Sequence, residues 1–301
     1  MTTAKIATKP HIPIMVENVI EYLKIQRKGT YIDCTIGYGG HASCIIKSLS
    51  NQGRLIGIDR DREAIEYCKK SLSSSNGISG TKEISLFKNS YDHLPSILDK
   101  TNIKKVDGVL LDLGLSSMQL DSSSRGFSYR FNSVLEMRFD NSQKLKASDI
   151  LNSYSTEDLA NIFFDYGGER RSRAIAKRIA KMRPMKMVSQ LIEAIRLSTP
   201  PKKRDRTVAR VFQSLRIEVN NELNILERFL SFFFNHILVG GRIVIISFHS
   251  LEDRLVKHTF KKLSVDQKIN ILTKKPLCPS KEEQSTNSRS RSAKLRAAEI
   301  V

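Results

Sequence analysis

One stretch, Tyr31-Ile-Asp-Cys-Thr-Ile-Gly-Tyr-Gly-Gly-His-Ala42, constrains the fold of this 301-residue chain more than any other. It reads as a short strand entering a glycine-rich turn, with a helix-like segment, Ser43 to Ser50, leaving it. Glycines suit such a turn because they accept positive φ and let a ligand approach bare backbone. The turn's amides and the following helix start then form a pocket for a polar ligand. A second strand-like run, Arg54-Leu-Ile-Gly-Ile58, ends on Asp59, twenty residues beyond Gly39. An acid at that separation can reach the two hydroxyls of a ribose. Together these features predict a βαβ site for an adenosine-containing cofactor.

The pattern Gly37-x-Gly39-x-x-Ala42 also fits the fingerprint of a dinucleotide site. Asp33 separates the two readings. It stands at the strand end, four residues before Gly37, where it would repel a pyrophosphate. S-adenosylmethionine carries an ammonium and a sulfonium and no phosphate, so a carboxylate there favours the methyl donor over a nicotinamide. His41 lies inside the turn, which makes it a stronger ligand candidate than an average histidine.

Further along, Ile84-Ser-Leu-Phe87 predicts a third strand and Val106-Asp-Gly-Val-Leu-Leu111 a fourth, landing on Asp112. A helix with apolar positions Met15, Val16, Val19, Ile20 and Leu23, opened by His11-Ile-Pro13, precedes them, and residues 62–72 supply a crossover helix. Residues 1–9 read as a loose leader and 73–80 as a polar loop. After Asp121 the alternation of strand and helix stops, and from Ala147 to Leu197 the pattern is wholly helical. The α/β pattern resumes with one long helical stripe, Phe212 to Ile237, ended by Gly240-Gly241, and a strand from Arg242 to Phe248. Ser250 reads as an N-cap, in a capping box with Asp253. The basic tail beyond Leu263 shows no apolar period at its end.

The expected architecture is therefore α/β, a class I (Rossmann-like) methyltransferase fold with a mostly parallel sheet. Residues 1–121 and 209–301 would form the cofactor-binding domain, with an all-α domain inserted at 122–208. No apolar run is long enough to span a bilayer, the first ten residues show no export signal, and the four cysteines are scattered. A reduced, cytoplasmic protein without a metal site or membrane contact is the expectation. The sequence does not speak to oligomeric state.

The net charge of +19 is unevenly spread. Residues 169–210 hold 14 Lys and Arg against 3 acids, and residues 261–301 hold 10 against 4, so these two blocks account for most of the excess. Solubility is the ordinary reading of a basic surface, and it does not require charge to be concentrated this way. A polyanion partner favours such concentration, and nucleic acid is the commonest.

Asp112, at the carboxyl end of the fourth strand, stands where open α/β sheets place their ligands, although a turn or cap role suits it too. Amino-directed methyltransferases usually carry an Asp/Asn-Pro-Pro-aromatic run at this point, and this chain does not. No catalytic base is assigned from the sequence. Arg125-Gly-Phe127 and Tyr129 suit stacking on a splayed-out base or, equally, packing under a loop.

Seven blocks in order resemble the bacterial RsmH/MraW family: Gly39-Gly-His41, Ile58-Asp-Arg-Asp61, Leu111 to Asp121, Arg125-Gly-Phe-Ser128, Tyr166-Gly-Gly-Glu169, Phe212 to Leu223 and Ile246 to Arg254. The similarity runs nearly end to end. It implies methylation of N4 of a cytosine in the decoding region of 16S rRNA, with S-adenosylmethionine as cofactor, the small ribosomal subunit as partner and the helical insert at 122–208 used for substrate recognition. By the same resemblance Gly39, Gly40, His41, Asp59, Asp112 and Gln119 fall on the family's cofactor contacts. Tyr91 falls where the family usually sets a phenylalanine against the adenine. Cys34 and Ile36 depart from the usual glycine and phenylalanine, and Val134 and Glu136 from the usual proline and aspartate of the substrate loop. The competing classes are an RNA-binding assembly factor with a relict cofactor pocket and a nicotinamide oxidoreductase. Binding of S-adenosylmethionine separates the first, and cofactor exchange the second.

Overall fold

A computed structural model describes residues 13–74 and 83–301. The expected leader, the opening His11-Ile12 and most of the expected loop at 73–80 lie outside them. The first helix, α1 (Val16–Leu23), leads to β1 (Thr30–Asp33), α2 (Gly40–Ser48), β2 (Arg54–Asp59) and α3 (Arg62–Ser74). Then come β3 (Glu83–Lys88), α4 (Leu94–Lys100), β4 (Val106–Asp112) and the short α5 (Ser117–Asp121). A helical run follows: α6 (Ala147–Ser153), α7 (Thr156–Asp165), α8 (Ser172–Lys181), α9 (Val188–Ser198) and α10 (Arg204–Asn220). The chain ends through α11 (Glu222–Phe232), β5 (Ile237–Ser247), α12 (Ser250–Val265), β6 (Ile269–Ile271), α13 (Lys281–Thr286) and β7 (Lys294–Ile300).

The seven strands form one sheet in the order β3-β2-β1-β4-β5-β7-β6. Strands β1 to β5 pair in parallel and β7 runs antiparallel between β5 and β6. Side chains alternate between faces along a strand. Tyr31, Leu55, Leu110 and Val244 pack with Val19 and Leu23 of α1, Ile45 of α2 and Ile65 of α3 on one face. Their neighbours Ile32, Ile56, Val109 and Ile243 are equally buried, so the opposite face is covered too. Burial on both faces explains why these strands read as unbroken apolar runs. The mostly parallel sheet expected from the sequence is the one observed.

Spatial proximity divides the chain into two units, one running to Gly114 and resuming at Phe229, the other Leu115–Arg228. The limits expected for the insert, 122 and 208, both fall inside the second unit. Val211, Phe212, Leu215 and Val219 of α10 join its core with Ile150, Phe163, Ile175, Leu191 and Ile195.

Four details differ from expectation. The long stripe from Phe212 to Ile237 runs through two helices, parted where Asn221 adopts the left-handed conformation (φ 52°) that asparagine tolerates, and ends on the first residue of β5. Beside it the buried Asn220 accepts from the amide of Phe139 and donates to the carbonyl of Met137, both at 2.8 Å. Gly240-Gly241 do not stop a helix. They lie within β5, where the pairing with β4 jumps from Val106↔Ile237 to Gly108↔Arg242. His249, not Ser250, caps α12, in a box closed by Glu252. Asp253 instead binds Arg296 at 2.7 Å and Lys294 at 3.2 Å. These pairs show why the tail misled: its basic end is strand β7, with Leu295, Ala297 and Ala298 buried and the intervening cations neutralised. Charged residues, Arg296 itself buried among them, hid the strand.

Gly57 lets β2 and the cofactor turn come together. A Cβ there would lie 2.3 Å from Ile36 Cδ1 and 2.7 Å from Leu86 Cδ2. Ile36 thus fills the space above β2 that Gly57 leaves open. Gly57→Ala should destabilise the protein by about 1–3 kcal/mol, read as a lower urea midpoint with an unchanged slope.

Candidate active site

The carboxyl ends of β1, β2 and β4 are adjacent in the sheet, and each ends in an aspartate: Asp33, Asp59 and Asp112. Between β1 and α2 the chain turns through Gly37 (φ 50°) and Gly39 (φ 80°), conformations an L side chain rarely adopts. A Cβ on Gly39 would also meet Cys68 Sγ at 3.3 Å. The helix begins at Gly40, three residues before the expected Ser43, so the turn is shorter and tighter than its sequence implied.

Asp59 fixes this turn. Its Oδ2 accepts the amide of Gly37 and its Oδ1 that of Asp61, both at 2.8 Å. The residue read as a ribose ligand is therefore also the brace that ties the glycine turn to β2. Burial is the largest influence on its carboxyl and pushes it up to about 6, against the lowering effect of these amides. Thr35 plays a similar part unnoticed in the sequence: its Oγ1 accepts the amide of Asp112 at 2.7 Å.

Asp33 is buried, with Oδ1 accepting the amide of Thr35 at 3.2 Å. Burial pushes its carboxyl up to about 7, with the charges of Asp112 and Asp59 adding to the rise and His41 opposing it. His41 Nε2 lies 3.4 Å from Asp112 Oδ2. Burial lowers the proton affinity of His41, but Asp112, Asp33 and Glu283 outweigh it and the net shift is upward. Glu283 is 242 residues further along the chain, and its Oε1 accepts the amide of Met15 at 2.8 Å. No local sequence signal could have found it. His41 Nδ1 and Asp112 Oδ1 are buried and have no hydrogen-bond partner.

Tyr91 is buried just after β3, its ring set edge-on to Phe229 with centroids 5.4 Å apart. Gln119 belongs to the other unit, where its Oε1 accepts the amide of Ser116 at 3.0 Å and closes the capping box of α5. Its assignment to the cofactor rests on the resemblance. The structure thus gathers Asp33, Gly39, Gly40, His41, Asp59 and Asp112 at one end of the sheet, with Tyr91 just past the neighbouring strand.

This set fits a phosphate-free cation. Three acids and one histidine share a buried site, two polar atoms there lack partners, and the glycine backbone offers close approach. An acid whose folded pKa is raised loses folded-state stability as pH climbs from its unfolded value near 4 toward its folded value near 7. Asp33→Asn should therefore raise the Tm of the ligand-free protein, and by more at pH 8 than at pH 5. The gain at pH 8 should be on the order of a few kcal/mol, measured by thermal unfolding.

A family model described as the MraW methylase family matches residues 8–301. The ribosomal RNA small subunit methyltransferase H of Fusobacterium nucleatum is 42% identical over 315 residues, covering 99% of both chains. That of Thermosipho africanus is 45% identical over 295 residues, covering 97% of this chain and 98% of its own. A SAM-dependent methyltransferase from Aquifex aeolicus shows a distant structural likeness, with 10% identity, TM-score 0.43, and 96% and 90% of the two chains covered. With a match that spans almost its whole length, this chain belongs to the MraW methylase family.

Proposed function

We propose that this protein methylates the N4 amino group of a cytosine in the decoding region of 16S rRNA, within the small ribosomal subunit. The observation that carries the reading is the buried acid cluster with its two unpartnered polar atoms, Asp112 Oδ1 and His41 Nδ1. The names of its relatives and the basic block at 169–210 support an rRNA substrate.

When bound, S-adenosylmethionine supplies a methyl group activated by a positively charged sulfur. Gly39 and Gly40 present backbone to it, Asp59 and Tyr91 hold its adenosine end, and Asp33, His41 and Asp112 set the charge around its cationic end. The exocyclic amine of cytosine is a poor nucleophile because its lone pair is delocalised into the ring. Most of the rate then comes from holding that nitrogen in line with the methyl group. Asp112 Oδ1 is free to accept a hydrogen bond from the amine and to draw off its proton, while His41 steadies the other carboxylate oxygen.

Transfer of labelled methyl to small-subunit particles, followed by nucleoside analysis, should place the label in N4-methylcytidine. Label in another nucleoside, or none, would overturn the proposal. Asp112→Asn should lower kcat by about 10²–10⁴ while cofactor affinity changes far less. Protonation of Asp33, at about 7, and of Asp59, at about 6, competes with a cationic ligand. Cofactor affinity should therefore fall as pH drops from 8 to 6, with proton release on binding detected by calorimetry in buffers of different ionisation enthalpy.

A further inference from the structure

We propose that the cleft at the amino ends of α8 and α10 seats an RNA phosphodiester, held by Arg170, Arg171, Lys202, Lys203, Arg206 and Arg210 above a buried Glu169. The ligand class rests on the proposed rRNA substrate. The phosphate-binding groups are thereby assigned to one place instead of to basic surface in general.

The sequence shows only that cations crowd residues 169–210. The fold brings six of them around one cavity of about 410 Å³. Arg170 and Arg171 come from the turn just before α8. Lys202 and Lys203 lie on the single 3-10 turn before α10, and Arg206 and Arg210, one helical turn apart, share a face of α10. Two helix amino ends therefore open on the same cavity, adding partial positive charge to the six full ones. Phosphate oxygens are what such an arrangement of donors and dipoles recognises.

The cleft is also built, not merely crowded. A Cβ on Gly167 would lie 2.5 Å from Ser214 Oγ and 2.8 Å from both Arg210 O and Phe163 O. Only glycine lets this turn rest directly on α7 and α10. Gly168 then takes a left-handed conformation (φ 61°) and delivers Glu169 inward. The Glu169 side chain is 5% exposed, with Oε1 accepting the amide of Arg171 at 2.9 Å. Its Oε2 makes no hydrogen bond, and Arg210 Nη1 stands 3.6 Å away. The Tyr166-Gly-Gly-Glu169 stretch, which the proposed methyl transfer does not use, thus becomes the floor of this cleft.

A solvated face would be the ordinary meaning of surface cations, and the two readings differ in stability. Six cations around one acid repel one another, so the arrangement is unfavourable in the free protein and a bound polyanion relieves it. Among the described residues, Arg210 is the one cleft cation with an acid within 4.0 Å.

The test uses the full-length protein and a fluorescein-labelled fragment of small-subunit RNA, with affinity followed by anisotropy from 50 to 200 mM KCl. The double variant Lys203→Gln/Arg206→Gln should bind at least tenfold more weakly. The slope of log K against log salt should flatten by about 0.7 for each single-strand phosphate that the variant leaves unneutralised. Its Tm should hold or rise, and its affinity for S-adenosylmethionine should stay unchanged. Unaltered RNA affinity and slope would overturn the proposal, as would equal losses in Lys261→Gln/Lys262→Gln, on α12 of the other unit. Weaker binding of pyrophosphate or of an acidic peptide, with RNA binding intact, would also overturn it. The experiment stands apart from the reaction itself. If the variant loses RNA while the native protein methylates nothing, the cleft holds and the proposed reaction fails. If methyl transfer is intact and the variant's KM for RNA is native, the cleft alone fails.

Discussion

Carboxylates buried at the ends of neighbouring strands are the constraint on which the rest of this molecule turns. An ionised acid out of water is costly unless it is paired or richly hydrogen-bonded. The chain meets this in two ways. Backbone amides of Gly37, Thr35 and Asp61 take up part of the charge on Asp59 and Asp33. Burial does the remainder by raising both carboxyls, to about 7 for Asp33 and about 6 for Asp59, so that protons are taken up close to neutrality. A site arranged so is poised for a ligand that brings its own positive charge, and S-adenosylmethionine does. One acid proposed to hold the ligand also holds the turn, since Asp59 cannot release Gly37 without loosening the pocket.

The two units divide the electrostatic work. In the sheet unit the charges that matter are few, buried and negative. In the helical unit they are many, exposed and positive, and one buried glutamate organises a group of them. Buried charge gives specificity for a small cation, because its geometry is fixed by backbone bonds. Exposed charge gives reach toward a large polyanion, at the expense of sensitivity to salt.

Much of the sheet was legible because parallel strands buried on both faces leave unmixed apolar runs, as at Leu55–Ile58 and Val109–Leu111. The glycine turn was legible because a left-handed turn demands particular residue types, and Asp59 because an acid closes the second apolar run; its bonds to Gly37 and Asp61 were not. What escaped was set by partners far along the chain. Strand β7 was invisible because Lys294 and Arg296 depend on Asp253, some forty residues earlier, to sit beside a buried face. Asn221 broke a stripe that periodicity alone carried straight through, and no pattern of apolar spacing records a left-handed residue. Glu283 and Thr35 act through single hydrogen bonds, which leave no periodic trace.

The second unit, Leu115–Arg228, interrupts the chain between β4 and β5, two strands that are direct neighbours in the sheet. Asp112 therefore waits for Ile246, more than 130 positions later, before its strand gains that partner. Closing so long a loop is entropically slow when the intervening chain is loose. A helical unit built from local contacts forms faster, and once formed it leaves only short connections free. Loop-closure entropy therefore favours an order in which the helices of the insert form first, β4 then captures β5, and the strand ends bearing the acids are completed last.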